Sequence, residues 1–211
     1  MTNIIEELIA RYPQLSCCRD QVEEASRMLI RCFSSGHKLL VCGNGGSCAD
    51  AEHIVGELMK GFLKKRPLSE EIRNKMKKEN PALEDSLLDQ LQCGLPAIAL
   101  TGSPALSTAF ANDVNSQLIY AQQVIGLGES GDILLGISTS GNAANVYAAA
   151  QVARGLEMEV IGLTGRDGGL LKSCADVCII VPETETYKIQ ELHLPVYHAL
   201  CAAAEAYFFN E

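Results

Sequence analysis

No stretch of this 211-residue chain reaches the length of a transmembrane helix. The N-terminus also lacks the basic-then-apolar pattern of a secretory signal. Positive charge is scarce: 17 Lys and Arg stand against 26 Asp and Glu, for a net charge of −9. That balance argues against a broad nucleic-acid footprint and against binding to an anionic membrane surface. The nine cysteines include no C-x-x-C pair and are odd in number. Cys42, Cys178 and Cys201 sit among apolar residues. Reduced thiols serving as small hydrophobes are therefore expected, with no disulfide framework and no zinc–cysteine site. These absences lead to the expectation of a soluble, cytoplasmic protein. Its length and its 47% apolar content fit one globular domain with a substantial core.

What is present is organised around the stretch from Leu39 to Phe62, LLVCGNGGSCADAEHIVGELMKGF. Leu39, Leu40, Val41 and Cys42 form an apolar run of strand length. The loop Gly43-Asn44-Gly45-Gly46-Ser47 is too glycine-rich to continue a strand. From Ala49 onward the residues favour helix, with Asp50 in the first turn. Strand, tight loop and helix N-terminus together leave backbone N–H groups free to hold an anion. His53 and Glu57 stand four apart and so share one helix face a turn above this cradle. The third glycine position of a dinucleotide fingerprint is occupied by Cys48, and no Gly-Lys-Ser/Thr of a nucleotide P-loop follows.

Residues 2–34 read as helical, interrupted at Pro13. Their many apolar positions point to a partner helix or subunit. Residues 63–94 are charged, carry two prolines and read as an exposed excursion of one or two helices. Short apolar strands are expected at 96–101, 131–137, 158–164 and 175–181. Helices are expected at about 104–111, 115–127, 143–154 and 186–209. The third strand is followed by Ser138-Thr139-Ser140-Gly141-Asn142, three hydroxyls at a helix start where a cap needs only one. Strands alternating with helices predict an α/β fold, a three-layer αβα sandwich around a five-stranded parallel sheet. Both polar loops then lie at the carboxyl edge, where such sheets bind ligands.

Six ordered motifs carry a resemblance. They are CGNGGS at 42–47, H-x-x-x-E-L at 53–58, AND at 111–113, GDILLGISTSGN at 131–142, VIGLTGRDGG at 160–169, and IQELH at 189–193 followed by His198. With them the chain resembles the sugar isomerase (SIS) domain family and, within it, the phosphoheptose isomerases. That resemblance implies 1–36 as N-terminal oligomerisation helices and 37–211 as the SIS domain. It implies conversion of sedoheptulose 7-phosphate to D-glycero-D-manno-heptose 7-phosphate through an enediol, the first step of ADP/GDP-heptose biosynthesis. Asn44, Gly45, Gly46, Ser47, Glu57, Asn112, Asp113, Ser138, Thr139, Ser140 and Gln190 would contact the sugar phosphate. His53, Glu57, Gln190 and His198 would hold one zinc ion per subunit, with Glu57 and His198 as the acid–base pair. A homotetramer would share its sites between subunits.

Three positions depart from the family pattern: Ala143 replaces a serine, Lys188 replaces an arginine, and the 63–94 connection is long. They bear on the identity of the sugar phosphate more than on the reaction type. The other readings are an isomerase of a different sugar phosphate and a non-catalytic sensor or adaptor, such as one binding the replication initiator DnaA. Adaptors of that kind lack the equivalents of Glu57 and His198, which this chain has. Spacing alone does not bring all four proposed ligands together. Gln190 and His198 are eight apart, roughly 12 Å along a helix, and meet one ion only by leaning together or through a kink at Pro195. His193 reads as a packed or interface histidine.

Overall fold

The computed structural model describes residues 2–209. Five strands form its centre: β1 (Leu39–Gly43), β2 (Ala97–Ala99), β3 (Ile133–Ser138), β4 (Glu159–Thr164) and β5 (Val177–Ile180). All pairings are parallel, and the order across the sheet is β2-β1-β3-β4-β5. β1 and β3 are buried throughout, which is why they read as continuous apolar runs rather than alternating ones.

Successive strand residues serve opposite faces. Leu39, Val41, Leu135 and Ile161 meet α1 (Thr2–Arg11), α2 (Arg19–Ser34), α3 (Gly46–Met59) and α10 (Thr186–Phe208). Leu40, Cys42, Leu134 and Val160 meet α7 (Ile119–Leu127), α8 (Ala144–Gly155) and α9 (Gly169–Cys174). The expected three layers are therefore present. Pro13 ends α1 as its ring dictates, and a short 3₁₀ segment, Pro13–Cys18, leads into α2. Ile5, Leu8, Val22, Ala25, Met28 and Leu29 are buried in the main core, so packing within the chain accounts for much of the apolar character of these helices.

α3 starts at Gly46, three residues earlier than the composition indicates, because Gly45 at φ 57° turns the chain directly into the helix. The excursion at 63–94 holds α4 (Glu70–Glu79) and the short α5 (Asp85–Leu88). Ser69 caps α4 by accepting from the Ile72 N–H. The excursion is pinched at its base, where Pro67 bridges Gln92 and the Gly61 N–H donates to Gln92 Oε1 at 2.7 Å. α6 (Pro104–Phe110) runs into a π-helical turn, Ala111–Asn115. Among the described residues no helix is long and apolar enough to cross a membrane.

Candidate active site

The sheet order decides where the two polar loops lie. β1 and β3 are neighbours, with Gly43 level with Ile137. The loops leave the sheet one residue apart in register, yet α3 and α8 pack on opposite faces. A doubly wound sheet opens a crevice at such a divergence.

Side chains tie the loops across that crevice. Asn44 Nδ2 donates to Asn145 Oδ1 at 2.8 Å, and Asn145 Nδ2 returns a bond to Asn44 Oδ1 at 2.9 Å. Tyr120 Oη donates to the Gly43 carbonyl at 2.6 Å. Asn145 and Tyr120 carried no signal in the sequence. An asparagine in a helix first turn and a tyrosine in an apolar helix are ordinary until the fold supplies their partners.

Within the second loop the three hydroxyls are not equivalent. Ser138 is buried and its Oγ accepts from the Ala143 N–H at 3.4 Å. Ser140 Oγ accepts from the Asn142 N–H at 3.2 Å. Thr139 is half-buried, its carbonyl accepts from Gly165 N–H, and its hydroxyl makes no hydrogen bond among the described residues. Gly141 adopts φ 67°, and a Cβ there would meet the Gly168 carbonyl oxygen at 1.9 Å. No other residue fits.

Gln190, from the first turns of α10, lies over the first loop. A Cβ on Gly46 would sit 2.5 Å from Gln190 Nε2, so the third loop glycine exists to admit this amide. Ser47 is buried beneath Gly43. Asn112 and Asp113 lie exposed on the π-helical turn, where Asn112 Nδ2 donates to Asp113 Oδ1 at 2.8 Å. No hydrogen bond joins them to either loop among the described residues.

α3 and α10 bring three further side chains together. His53 Nε2 is 3.2 Å from Glu57 Oε1, and His198 Nε2 is 3.5 Å from His53 Nε2. Lys60 Nζ lies 3.1 Å from Glu57 Oε2. Burial, then the neighbouring His53, lowers the His198 pKa. Two imidazole nitrogens and a carboxylate oxygen crowd one point, an arrangement that a cation relieves. Ligand atoms about 2.0–2.1 Å from a tetrahedral ion are roughly 3.3 Å from one another, close to both separations seen here. The separations from His53 to Glu57 and to His198 thus resemble those between ligands of one ion, but among the described residues no group of three or more His, Cys, Asp or Glu side chains is placed to hold a metal ion. Gln190 stands apart, against Gly46. His193 is fully buried, and burial pushes its pKa down to about 4. It is a core residue, packed rather than turned to the site.

Known proteins resemble this chain in sequence and fold. The SIS domain family model matches residues 5–92 and 86–165. The phosphoheptose isomerase of Thiobacillus denitrificans is 40% identical over 189 residues, covering 88% of this chain and 83% of that protein. That of Aliarcobacter butzleri is 36% identical over 202 residues, covering 94% and 93%. The solved phosphoheptose isomerase of Francisella tularensis superimposes with a TM-score of 0.76 at 33% identity, covering 96% of this chain and 95% of that one. The Neisseria gonorrhoeae phosphoheptose isomerase gives 0.70 at 32% identity, covering 95% and 98%. With its parallel sheet, its paired polar loops and likeness along nearly its whole length, the chain belongs to the SIS domain family.

Proposed function

We propose that the chain is an aldose–ketose isomerase converting sedoheptulose 7-phosphate to D-glycero-D-manno-heptose 7-phosphate, acting in the cytoplasm as a homotetramer. The observation that supports this reading is the pair of polar loops held side by side after β1 and β3, with His53, Glu57 and His198 gathered where α3 meets α10. The name shared by the relatives supports the substrate. The N-terminus of α8, with Thr139, Ser140 and Ser138 before it, receives the phosphate. Asn44, Gly45, Gly46, Ser47, Gln190, Asn112 and Asp113 line the sugar. Glu57 takes the proton from the carbon beside the carbonyl and returns it to the neighbouring carbon, while His198 exchanges a proton with the oxygen. The two steps pass through one enediol and leave atoms and charge balanced.

His53, Glu57 and His198 would hold a zinc ion, and Gln190, the fourth ligand that the resemblance implies, would have to leave its place against Gly46 to join them. An ion held there would supply Lewis-acid polarisation of the substrate's oxygen. Protein purified without chelator is expected to contain about one divalent ion per chain, lost with activity on treatment with a strong chelator. A fully active metal-free preparation would leave Glu57 and His198 working without it.

Turnover of a panel of ketose phosphates followed by NMR tests the substrate; inactivity on the seven-carbon ketose sinks this reading. The anchor has its own test. Thr139→Val keeps the shape of a residue whose hydroxyl has no hydrogen-bond partner among the described residues. A hydrogen bond to a charged phosphate is worth about 1.5–3 kcal/mol, so the Michaelis constant is expected to rise about tenfold or more. An unchanged constant places the phosphate elsewhere. For the tetramer, Leu106, Val114, Leu118, Ile125 and Leu127 remain exposed on one stretch of chain, apolar surface suited to a second copy. Light scattering is expected to give about four times the 22.7 kDa chain mass; a monomer mass at micromolar concentration refutes it.

A further inference from the structure

Tyr197 is 1% exposed, yet its hydroxyl lies between two polar side chains of α3. Oη is 3.2 Å from Asp50 Oδ1 and 3.0 Å from His53 Nδ1. Asp50 and His53 are three apart on the helix and so share the face turned to α10. An ionised carboxylate can only accept, and a phenol has a single proton to donate. The Tyr197 O–H therefore donates to Asp50, and its lone pair accepts from His53. Among the described residues Asp50 Oδ2 is buried without a hydrogen-bond partner, so none of their side chains competes for the carboxylate. A neutral His53 has one N–H for two acceptors, the phenol oxygen at Nδ1 and Glu57 Oε1 at 3.2 Å from Nε2; the shorter, buried Tyr197 contact favours the proton on Nδ1, which leaves Nε2 bare. Nε2 is the atom that faces Glu57 and His198.

We propose that Asp50 and Tyr197 are positioning residues that hold His53 in its Nδ1–H tautomer, aiming a bare Nε2 at Glu57 and His198. The use of that lone pair rests on the ligand role given to His53 above; the tautomer itself does not. Partners behind a ligating histidine commonly fix its ring and tautomer, and losing one costs about 10–100-fold in metal affinity. Here the carboxylate acts through an inserted phenol rather than directly. Tyr197 adjoins His198 on α10, so one helix supplies both a site histidine and the brace for the other.

The chain has four histidines, few enough to resolve in long-range proton–nitrogen NMR spectra of ¹⁵N-histidine-labelled, metal-free protein at mildly alkaline pH. The expected His53 spectrum shows a protonated Nδ1 and an unprotonated Nε2. Tyr197→Phe keeps the buried ring and removes the hydroxyl. In that variant the His53 proton is expected to redistribute toward Nε2, and zinc affinity, measured by competition with a chromogenic chelator, to fall about 10–100-fold. A wild-type His53 with its proton on Nε2 overturns the proposal. So does a Phe variant that keeps the wild-type tautomer. If the wild-type protein bound no zinc, the cation reading would fail while the spectrum still decided the tautomer.

Discussion

Replacing Glu57 with glutamine is expected to lower turnover by about 10² to 10⁴ while phosphate binding persists. Glutamine keeps the volume and one acceptor but cannot take a proton from carbon. Glu57 lies within α3, with a side chain 15% exposed, so the substitution changes chemistry and leaves the crevice in place. Its contact with His53 at 3.2 Å means that metal content also has to be measured in the variant. Solvent-deuterium incorporation at the carbon beside the carbonyl separates the two effects. Incorporation should vanish in Glu57→Gln even when the variant is saturated with zinc. Exchange at the wild-type rate would remove Glu57 from the role of base.

The largest expected loss of stability follows Glu205→Ala. Arg66 and Glu205 form an ion pair at 2.8 Å, with side chains 0% and 1% exposed. Glu205 also accepts from the N–H groups of Phe62, Leu63 and Lys64 at 2.7–3.1 Å. Arg66 donates to the Leu58 carbonyl at 2.6 Å and the Glu57 carbonyl at 3.1 Å. These are orphan acceptors at the C-terminal end of α3. Every group in the network is thereby satisfied. Truncating Glu205 leaves a buried guanidinium without its counter-charge and three amides without their acceptor, at a cost of about 3–5 kcal/mol. Urea denaturation measures it, and a loss under about 1 kcal/mol would show that Arg66 finds another partner.

The pH dependence of that contribution has a definite sign. Burial raises the Glu205 pKa, but the Phe62 and Leu63 amides and the Arg66 guanidinium outweigh it and bring the value below its ordinary 4.5. The pair therefore stabilises fully above that ordinary value and loses its contribution as pH falls through the lowered native one. The same network fixes the backbone of Glu57 itself, so it links the base of the excursion to the site.

By itself the sequence determined the layers and the chemistry of each loop. Buried parallel strands need unbroken apolar runs, and Leu39 to Cys42 and Ile133 to Ile137 supply them. Glycine at 45 and 141 and hydroxyls at 138–140 restrict those loops to tight turns at helix starts, because backbone geometry is a local property. Four-residue spacing likewise put His53 and Glu57 on one face. Only the tertiary structure decided which of these pieces meet. The order β2-β1-β3 sets the two loops side by side, and no local pattern encodes strand order. The Asn44–Asn145 pair and the Tyr197–Asp50 contact span 101 and 147 residues, so neither partner carries a mark of the other. Arg66 sits in a run with Lys64 and Lys65 that reads as solvated. Whether such a cation is buried depends on a carboxylate 139 residues away, and that distance is closed only by folding.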